Sequence, residues 1–129
     1  NDISNAEGFV AECVQGRERG NAPGARERLL RDAVALEEAG AFAIVIEGVP
    51  ADLAAEISRE VGVPTIGIGA GAGCDGQVLV MHDMLGMTPR PPRFVQNFLS
   101  GGRDIAGAFA AFAAAVRDGS FPQPEHGFD

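Results

Sequence analysis

The 129-residue chain has no lysine, no tryptophan and no tyrosine, and its two cysteines are Cys13 and Cys74. Two cysteines make neither a disulfide framework nor a four-ligand zinc site, and they suit a reducing, cytoplasmic setting. With ten basic residues, all arginine, against eighteen acidic ones, the formal charge is −8 and the isoelectric point is about 4.6. That balance argues against a nucleic-acid partner, which needs clustered positive charge, and against attraction to an anionic membrane. No apolar run approaches the roughly 20 residues that a membrane helix requires, and no charged-then-apolar leader is seen. The chain opens Asn1-Asp2-Ile3 without an initiator methionine, so a processed, truncated or partial chain is expected.

What is present describes one globular domain. Hydrophobic residues make up 46% and charged residues 22% of the chain, and a chain this long can bury roughly 68% of the surface it exposes when unfolded. Residues 1–22 are poorly patterned, with short apolar spots at Phe9-Val10 and Cys13-Val14 that allow one strand. From Ala25 onward Leu29, Leu30, Ala33, Val34 and Leu36 recur at helical spacing, and Gly40 stops that helix. Ala41 to Ile46 is an uninterrupted apolar run of strand length, as expected of a strand buried on both faces. A helix over 51–61 follows Pro50, and Pro64 enters a second strand that runs to Gly69. A glycine-rich loop, Gly69 to Gly76, leads to a third strand expected at Gln77–Met81. Two C-terminal helices are expected at Phe94–Leu99 and Arg103–Asp118, the second with Ile105, Phe109, Phe112 and Val116 on one stripe and an alanine-rich remainder that allows close packing, followed by an extended tail. Helix alternating with strand across short connections is the pattern of a parallel α/β sheet.

Glu47 is the most informative residue. It ends the apolar strand and stands next to a helix start, the end of a parallel strand where ligands bind and catalytic groups stand. Burial disfavours the charged form of a carboxylate and moves it toward the range of a working base. The competing reading is a carboxylate satisfied by backbone N–H groups at the following helix N-terminus. Gly71-Ala72-Gly73-Cys74-Asp75-Gly76 spells the dinucleotide pattern, but a strand rather than a helix is expected after it, and the cofactor reading fails. A phosphate site in the same loop would have no lysine and no arginine to use. A flexible loop at a site mouth, where backbone approaches a ligand, stays open. His82 and Asp83 are adjacent and would point to opposite sides of a strand, so a packed, hydrogen-bonded His82 is expected rather than a shared metal. Cys74 is read as an exposed thiol with nothing nearby to activate it, His126 as a surface or interface residue, and Asp75 either as an orienter of the loop or as solvent-exposed.

The words Ala39-Gly40-Ala41, Ile46-Glu47-Gly48-Val49-Pro50, Pro64-Thr65-Ile66-Gly67-Ile68-Gly69-Ala70-Gly71 and Asp75-Gly76-Gln77-Val78-Leu79-Val80-Met81-His82-Asp83 together resemble the ketopantoate hydroxymethyltransferases. Val14-Gln15-Gly16-Arg17, Asn97-Phe98-Leu99, Phe121-Pro122 and Glu125-His126 are also similar to family words, so the likeness covers residues 14–129. The family is a (β/α)8 TIM barrel related to phosphoenolpyruvate mutase and isocitrate lyase. The resemblance therefore implies transfer of a one-carbon unit from 5,10-methylenetetrahydrofolate to 3-methyl-2-oxobutanoate, giving 2-dehydropantoate for pantothenate biosynthesis. It implies a glutamate that takes the proton beside the ketone, at Glu47, and a Mg²⁺ that steadies the enolate. Gly67, Gly69 and Gly71 would stand at the mouth of the substrate site.

The departures are equally specific. A whole barrel takes about 250 residues, so 23–129 would be the C-terminal half of one domain, with three or four parallel strands. The family's Mg²⁺-binding acids and its keto-acid-binding Ser and Lys lie on earlier strands, so no metal ligand is assigned here. Asn1 to Cys13 does not resemble the family's strand with its histidine, Gly48 stands where a Cys is usual, and Ala72-Gly73-Cys74 departs from the usual loop. Half a barrel leaves two sheet edges and one apolar face uncovered. The chain is therefore expected to form a homo-oligomer, to bind a missing N-terminal half or to be part of a longer protein, and to be inactive alone. The rival reading is a non-catalytic, self-associating half-barrel module.

Overall fold

A computed structural model describes residues 10–13 and 23–128. Four parallel strands, β1 (Val10–Cys13), β2 (Ala43–Glu47), β3 (Thr65–Ile68) and β4 (Gly76–Gln77), form one sheet in sequence order. Helix α1 (Ala25–Glu38) joins β1 to β2, and α2 (Ala51–Glu60) joins β2 to β3. A short helix α3 (Met81–Met84) and the longer α4 (Ile105–Asp118) complete the regular structure, with a 3₁₀ turn at Pro124–His126. The strand at Val10–Cys13 falls within the poorly patterned 1–22 segment; the rest of that segment lies outside the described residues.

The register fixes which side chains share a face. Ile44 pairs with Thr65, Val45 with Ile66, Ile46 with Gly67 and Glu47 with Ile68. Ile44 and Ile46 are fully buried in a cluster with Leu29 and Ala33 of α1 and Leu53, Ala54 and Ile57 of α2. Because successive strand residues alternate, Val45 and Glu47 lie on the opposite face with Ile66 and Ile68. Each fully buried aliphatic side chain of the helix-covered face contributes about 1.5–3 kcal/mol. On the exposed side of the two helices, Arg26 of α1 reaches Asp52 (2.9 Å) and Glu56 of α2, and Gly62 N–H donates to Glu37 Oε1 at 2.7 Å.

A second cluster holds the C-terminal part together. Met84, Leu85, Phe98, Ala108 and Phe121 are buried, with Phe112, Ala115 and Val116 packed beside them. Phe98, Phe112 and Phe121 meet edge to face at centroid distances of 5.4–5.9 Å, the geometry that ring quadrupoles favour.

Four sequence expectations are corrected here. The strand expected at Gln77–Met81 is only Gly76–Gln77, extended by Val78 N–H donating to Gly67 C=O at 3.0 Å. Beyond that point β3 has ended and the chain turns at Gly69 (φ +62°), so Leu79 and Val80 find no ladder on that side. Met81 to Met84 close a helical turn instead, through Met84 N–H to Val80 C=O and Leu85 N–H to Met81 C=O, both 3.0 Å. No helix forms at 94–99: Phe98 N–H goes to the distant Met84 C=O (2.8 Å), and Asn97 Oδ1 accepts from Leu99 N–H (2.9 Å), a local bond that competes with a helix ladder. On α4 the expected stripe is split: Phe112 and Val116 pack inward with Ala108 and Ala115, while Ile105 (58% exposed) and Phe109 (43%) turn outward. The tail is not wholly extended, because His126 Nδ1 accepts from Gln123 N–H (3.0 Å) and closes the 3₁₀ turn.

Candidate active site

All four strands are parallel, so their C-terminal ends form one edge of the sheet, and Glu47 is the last residue of β2 on that edge. Gly48 follows with φ +63° and donates its N–H to Ile68 C=O at 2.9 Å. That bond ties the end of β2 to the end of β3. A residue with a Cβ would be strained at this φ. Glu47 is half-buried and lies on the face away from α1 and α2. Glu47 is thus a half-buried carboxylate at the C-terminal edge of a parallel sheet, off the helix-covered face, the edge where such folds bind their ligands.

The glycine-rich loop leaves the same edge. At Gly69 an added Cβ would lie 2.5 Å from Phe94 Cδ1, and at Gly71 (φ +75°) it would lie 2.5 Å from Ala51 Cβ. Gly73 meets Ala55 Cβ at 2.6 Å, so the loop lies flat on the first turns of α2. Gly67 has Cys74 Sγ at 3.0 Å and Gln77 Nε2 at 3.2 Å from where a Cβ would stand. Gln77 Nε2 in turn donates to Gly71 C=O at 2.9 Å. Asp75 orients the loop: its Oδ2 accepts from Thr65 N–H (2.8 Å) and Thr65 Oγ1 (3.1 Å). Thr65 is fully buried and its hydroxyl lies 2.7 Å from Ser58 Oγ, which donates to Ala54 C=O at 2.8 Å.

Three of the polar residues singled out in the sequence take different roles from those expected. Cys74 is half-buried rather than exposed, against Gly67, and burial pushes its thiol up from the ordinary value. His82 is exposed, because the turn into α3 carries it outward, while Asp83 accepts a short bond from Thr88 Oγ1. His126 is half-buried, its ring tilted by 52° to that of Phe121 at a centroid distance of 5.1 Å while it closes the tail turn. Among the described residues no three His, Cys, Asp or Glu side chains are grouped to hold a metal ion. These residues therefore do not by themselves fit the Mg²⁺ that the resemblance implies. Likewise, among the described residues no helix is long and apolar enough to cross a membrane.

One neighbour of the site is not signalled by any local pattern. Phe94 stands 25 residues beyond Gly69 in a segment without regular structure, and only the missing Cβ of Gly69 lets the ring approach the end of β3.

A sequence model of the family described as ketopantoate hydroxymethyltransferase matches residues 7–124, beginning seven residues before the first motif word. The chain is 59% identical over 122 residues to a 3-methyl-2-oxobutanoate hydroxymethyltransferase of Xanthomonas campestris pv. campestris, covering 93% of this chain and 43% of that protein. Proteins of the same name from Halorhodospira halophila and Burkholderia mallei are 53% and 57% identical over 116 residues, 41% of each relative's length. The chain thus spans less than half the length of these relatives.

Proposed function

This chain belongs to the ketopantoate hydroxymethyltransferase family, and we propose that, within an enzyme of the relatives' full length, it supplies the carbon-acid base for hydroxymethyl transfer to 3-methyl-2-oxobutanoate. The observation that carries the reading is Glu47, a half-buried carboxylate ending β2 on the sheet face opposite α1 and α2. Its carboxylate takes the proton from C3 of the keto acid, the carbon beside the ketone, leaving an enolate. C3 of the enolate bonds to the methylene carbon of 5,10-methylenetetrahydrofolate and water supplies the hydroxyl, while the two C–N bonds of that carbon break and the protons from C3 and from water pass to N5 and N10, so that 2-dehydropantoate and tetrahydrofolate leave. A positioned base is worth about 10²–10⁴-fold in rate.

The remaining parts of the reading follow from the chain's length. The arc of four parallel strands is one side of a (β/α)8 barrel, and the segment that the relatives carry beyond this match completes it and brings the Mg²⁺ ligands. Gly67, Gly69 and Gly71 shape the rim of the mouth by letting Cys74 and Gln77, Phe94, and Ala51 of α2, respectively, lie close on the backbone. The setting is cytoplasmic, where a free thiol such as Cys74 stays reduced. Further copies of the chain assemble through the apolar surfaces left at the rim.

The test replaces the aligned 122-residue segment of the Xanthomonas campestris relative with this chain. The composite protein is expected to form 2-dehydropantoate, and Glu47→Gln is expected to lower its kcat by at least about 100-fold. Turnover within a few-fold of the unsubstituted composite would contradict the role of Glu47.

A further inference from the structure

The end of β3 is covered by a small aromatic assembly. Phe94 is half-buried and lies so close to Gly69 that a Cβ there would be 2.5 Å from Cδ1 and 2.9 Å from Cγ. Gly69 follows Ile68, the register partner of Glu47, and Ile68 C=O accepts from Gly48 N–H. Phe94 is therefore connected to the proposed base through one hydrogen-bonded rung. On its other side Phe94 meets Phe128 edge to face, with centroids 6.3 Å apart and planes at 77°. Arg93 places its guanidinium 5.7 Å from the centre of the Phe128 ring, and its Nε donates to Glu125 C=O at 3.4 Å. The C-terminal tail is thus fastened to the segment that carries Phe94 by an aromatic contact, a cation–π contact and a hydrogen bond.

These contacts resist two alternative explanations. Phe94 belongs to neither of the two buried apolar clusters, so its ring is not accounted for as core packing. An exposed aromatic would not need a glycine at φ +62° on the end of the neighbouring strand to admit it. The ring is a flat apolar surface at the same sheet edge as a carboxylate, braced from behind by the tail.

We propose that Phe94, braced by Phe128, is the apolar wall that seats the branched end of the keto acid beside Glu47 and so sets the preference for a β-branched substrate. This deepens the proposed function and rests on it. A 2-oxo acid must present C3 to the base, and the two methyl groups on that carbon then need an apolar surface at the same edge. One methyl group in a well-fitted apolar pocket is worth about 10–200-fold in discrimination. A ring held on both sides gives that surface a fixed shape, whereas a flexible side chain would adapt to either acid.

The test measures dissociation constants for 3-methyl-2-oxobutanoate and for 2-oxobutanoate, which lacks one methyl group, by calorimetry on the composite protein. Phe94→Met keeps an apolar side chain of similar size but loses the flat ring, and is expected to lower the preference for the branched acid about tenfold. Phe128→Leu, behind the wall, is expected to shift the ratio in the same direction by less. An unchanged ratio in Phe94→Met overturns the proposal, even if its melting temperature falls, since a purely structural ring would weaken both acids alike. Should Phe94→Met not fold, Phe94→Tyr puts a hydroxyl on the wall and must shift the ratio in the same direction or the proposal fails. Binding of neither acid by the unsubstituted composite, or full transfer by Glu47→Gln, overturns the shared reading. An altered turnover in Glu47→Gln with an unaltered ratio in Phe94→Met overturns only the wall.

Discussion

Thr65 and Asp75 hold the loop beside the site through three hydrogen bonds, two into Asp75 Oδ2 and one from Asp75 N–H to Thr65 Oγ1 at 3.3 Å. Thr65 has no exposed surface, so its hydroxyl cannot exchange these partners for water. Thr65→Val is expected to cost about 1–3 kcal/mol in denaturant unfolding; a change within 0.5 kcal/mol would show the network to be idle. Cys74 offers a second check. Burial raises its thiol, so less thiolate is present at pH 8 than in a free cysteine, and alkylation by iodoacetamide is expected to be at least about tenfold slower than for a model thiol. Alkylation at the model rate would place the sulfur in solvent. At this scale Glu47 was legible because its position depends only on an apolar run ending in an acid before Gly48 and Pro50. The roles of Asp75 and Cys74 were not, because each depends on a contact with Thr65, Ser58 or Gly67 that no local spacing reveals.

Between elements, the close fit of loop to helix is the testable feature. Gly73→Ala brings a methyl group to 2.6 Å from Ala55 Cβ and is expected to destabilise the chain, and Ala55→Gly in the same molecule is expected to restore part of the loss despite the lower helix propensity of glycine. Strict additivity of the two changes would refute the contact. The bridge from α1 to α2 carries a pH dependence. The hydrogen bond from Arg26 holds the Asp52 carboxyl below its usual range. A lowered carboxylate stabilises the folded chain above the unfolded value of about 3.9 and loses that contribution as pH falls through its own lower value. With Asp52 71% exposed, the effect is small and screened by salt. The stability difference between Arg26→Gln and the unsubstituted chain is therefore expected to be present at pH 7 and to shrink below pH 4 and in 1 M salt. A difference constant from pH 7 to pH 3 would assign it to packing instead.

The elements of the first cluster were legible because their apolar periods are unambiguous: α1, β2, α2 and β3 lie within two residues of where the pattern puts them. Helix α4 also lies within two residues of its expected place, but the face it turns inward was not legible. Residues 105–116 carry no charge at all, so a helical period cannot choose a face. The ring of Phe98, Phe112 and Phe121 makes the choice, and two of those residues lie outside the helix. In the same way β4 ends where β3 stops offering partners, which is a property of the sheet and not of Val78 to Met81.

Among the described residues, α1 and α2 cover one sheet face and several large apolar side chains stand in solvent. Phe42, Val78, Val80, Met81, Met87, Ile105 and Phe109 are each more than 40% exposed. So many exposed large apolar residues suit a surface that a partner covers. The isolated chain is accordingly expected to self-associate in size-exclusion chromatography with light scattering; a monodisperse monomer at tens of micromolar would count against this. It is also expected to give no 2-dehydropantoate when supplied with Mg²⁺ and both substrates, since it spans only 43% of the Xanthomonas campestris relative's length. Turnover at the rate of a full-length relative would show that the chain needs nothing further. The central claim is that Glu47 draws a proton from carbon, and the most direct measurement is exchange of the C3 hydrogen of 3-methyl-2-oxobutanoate for deuterium. The composite protein in D₂O without a one-carbon donor is followed by NMR. Exchange that is rapid with Glu47 and at least 100-fold slower in Glu47→Gln is the predicted result, and equal exchange by the two proteins would contradict the account.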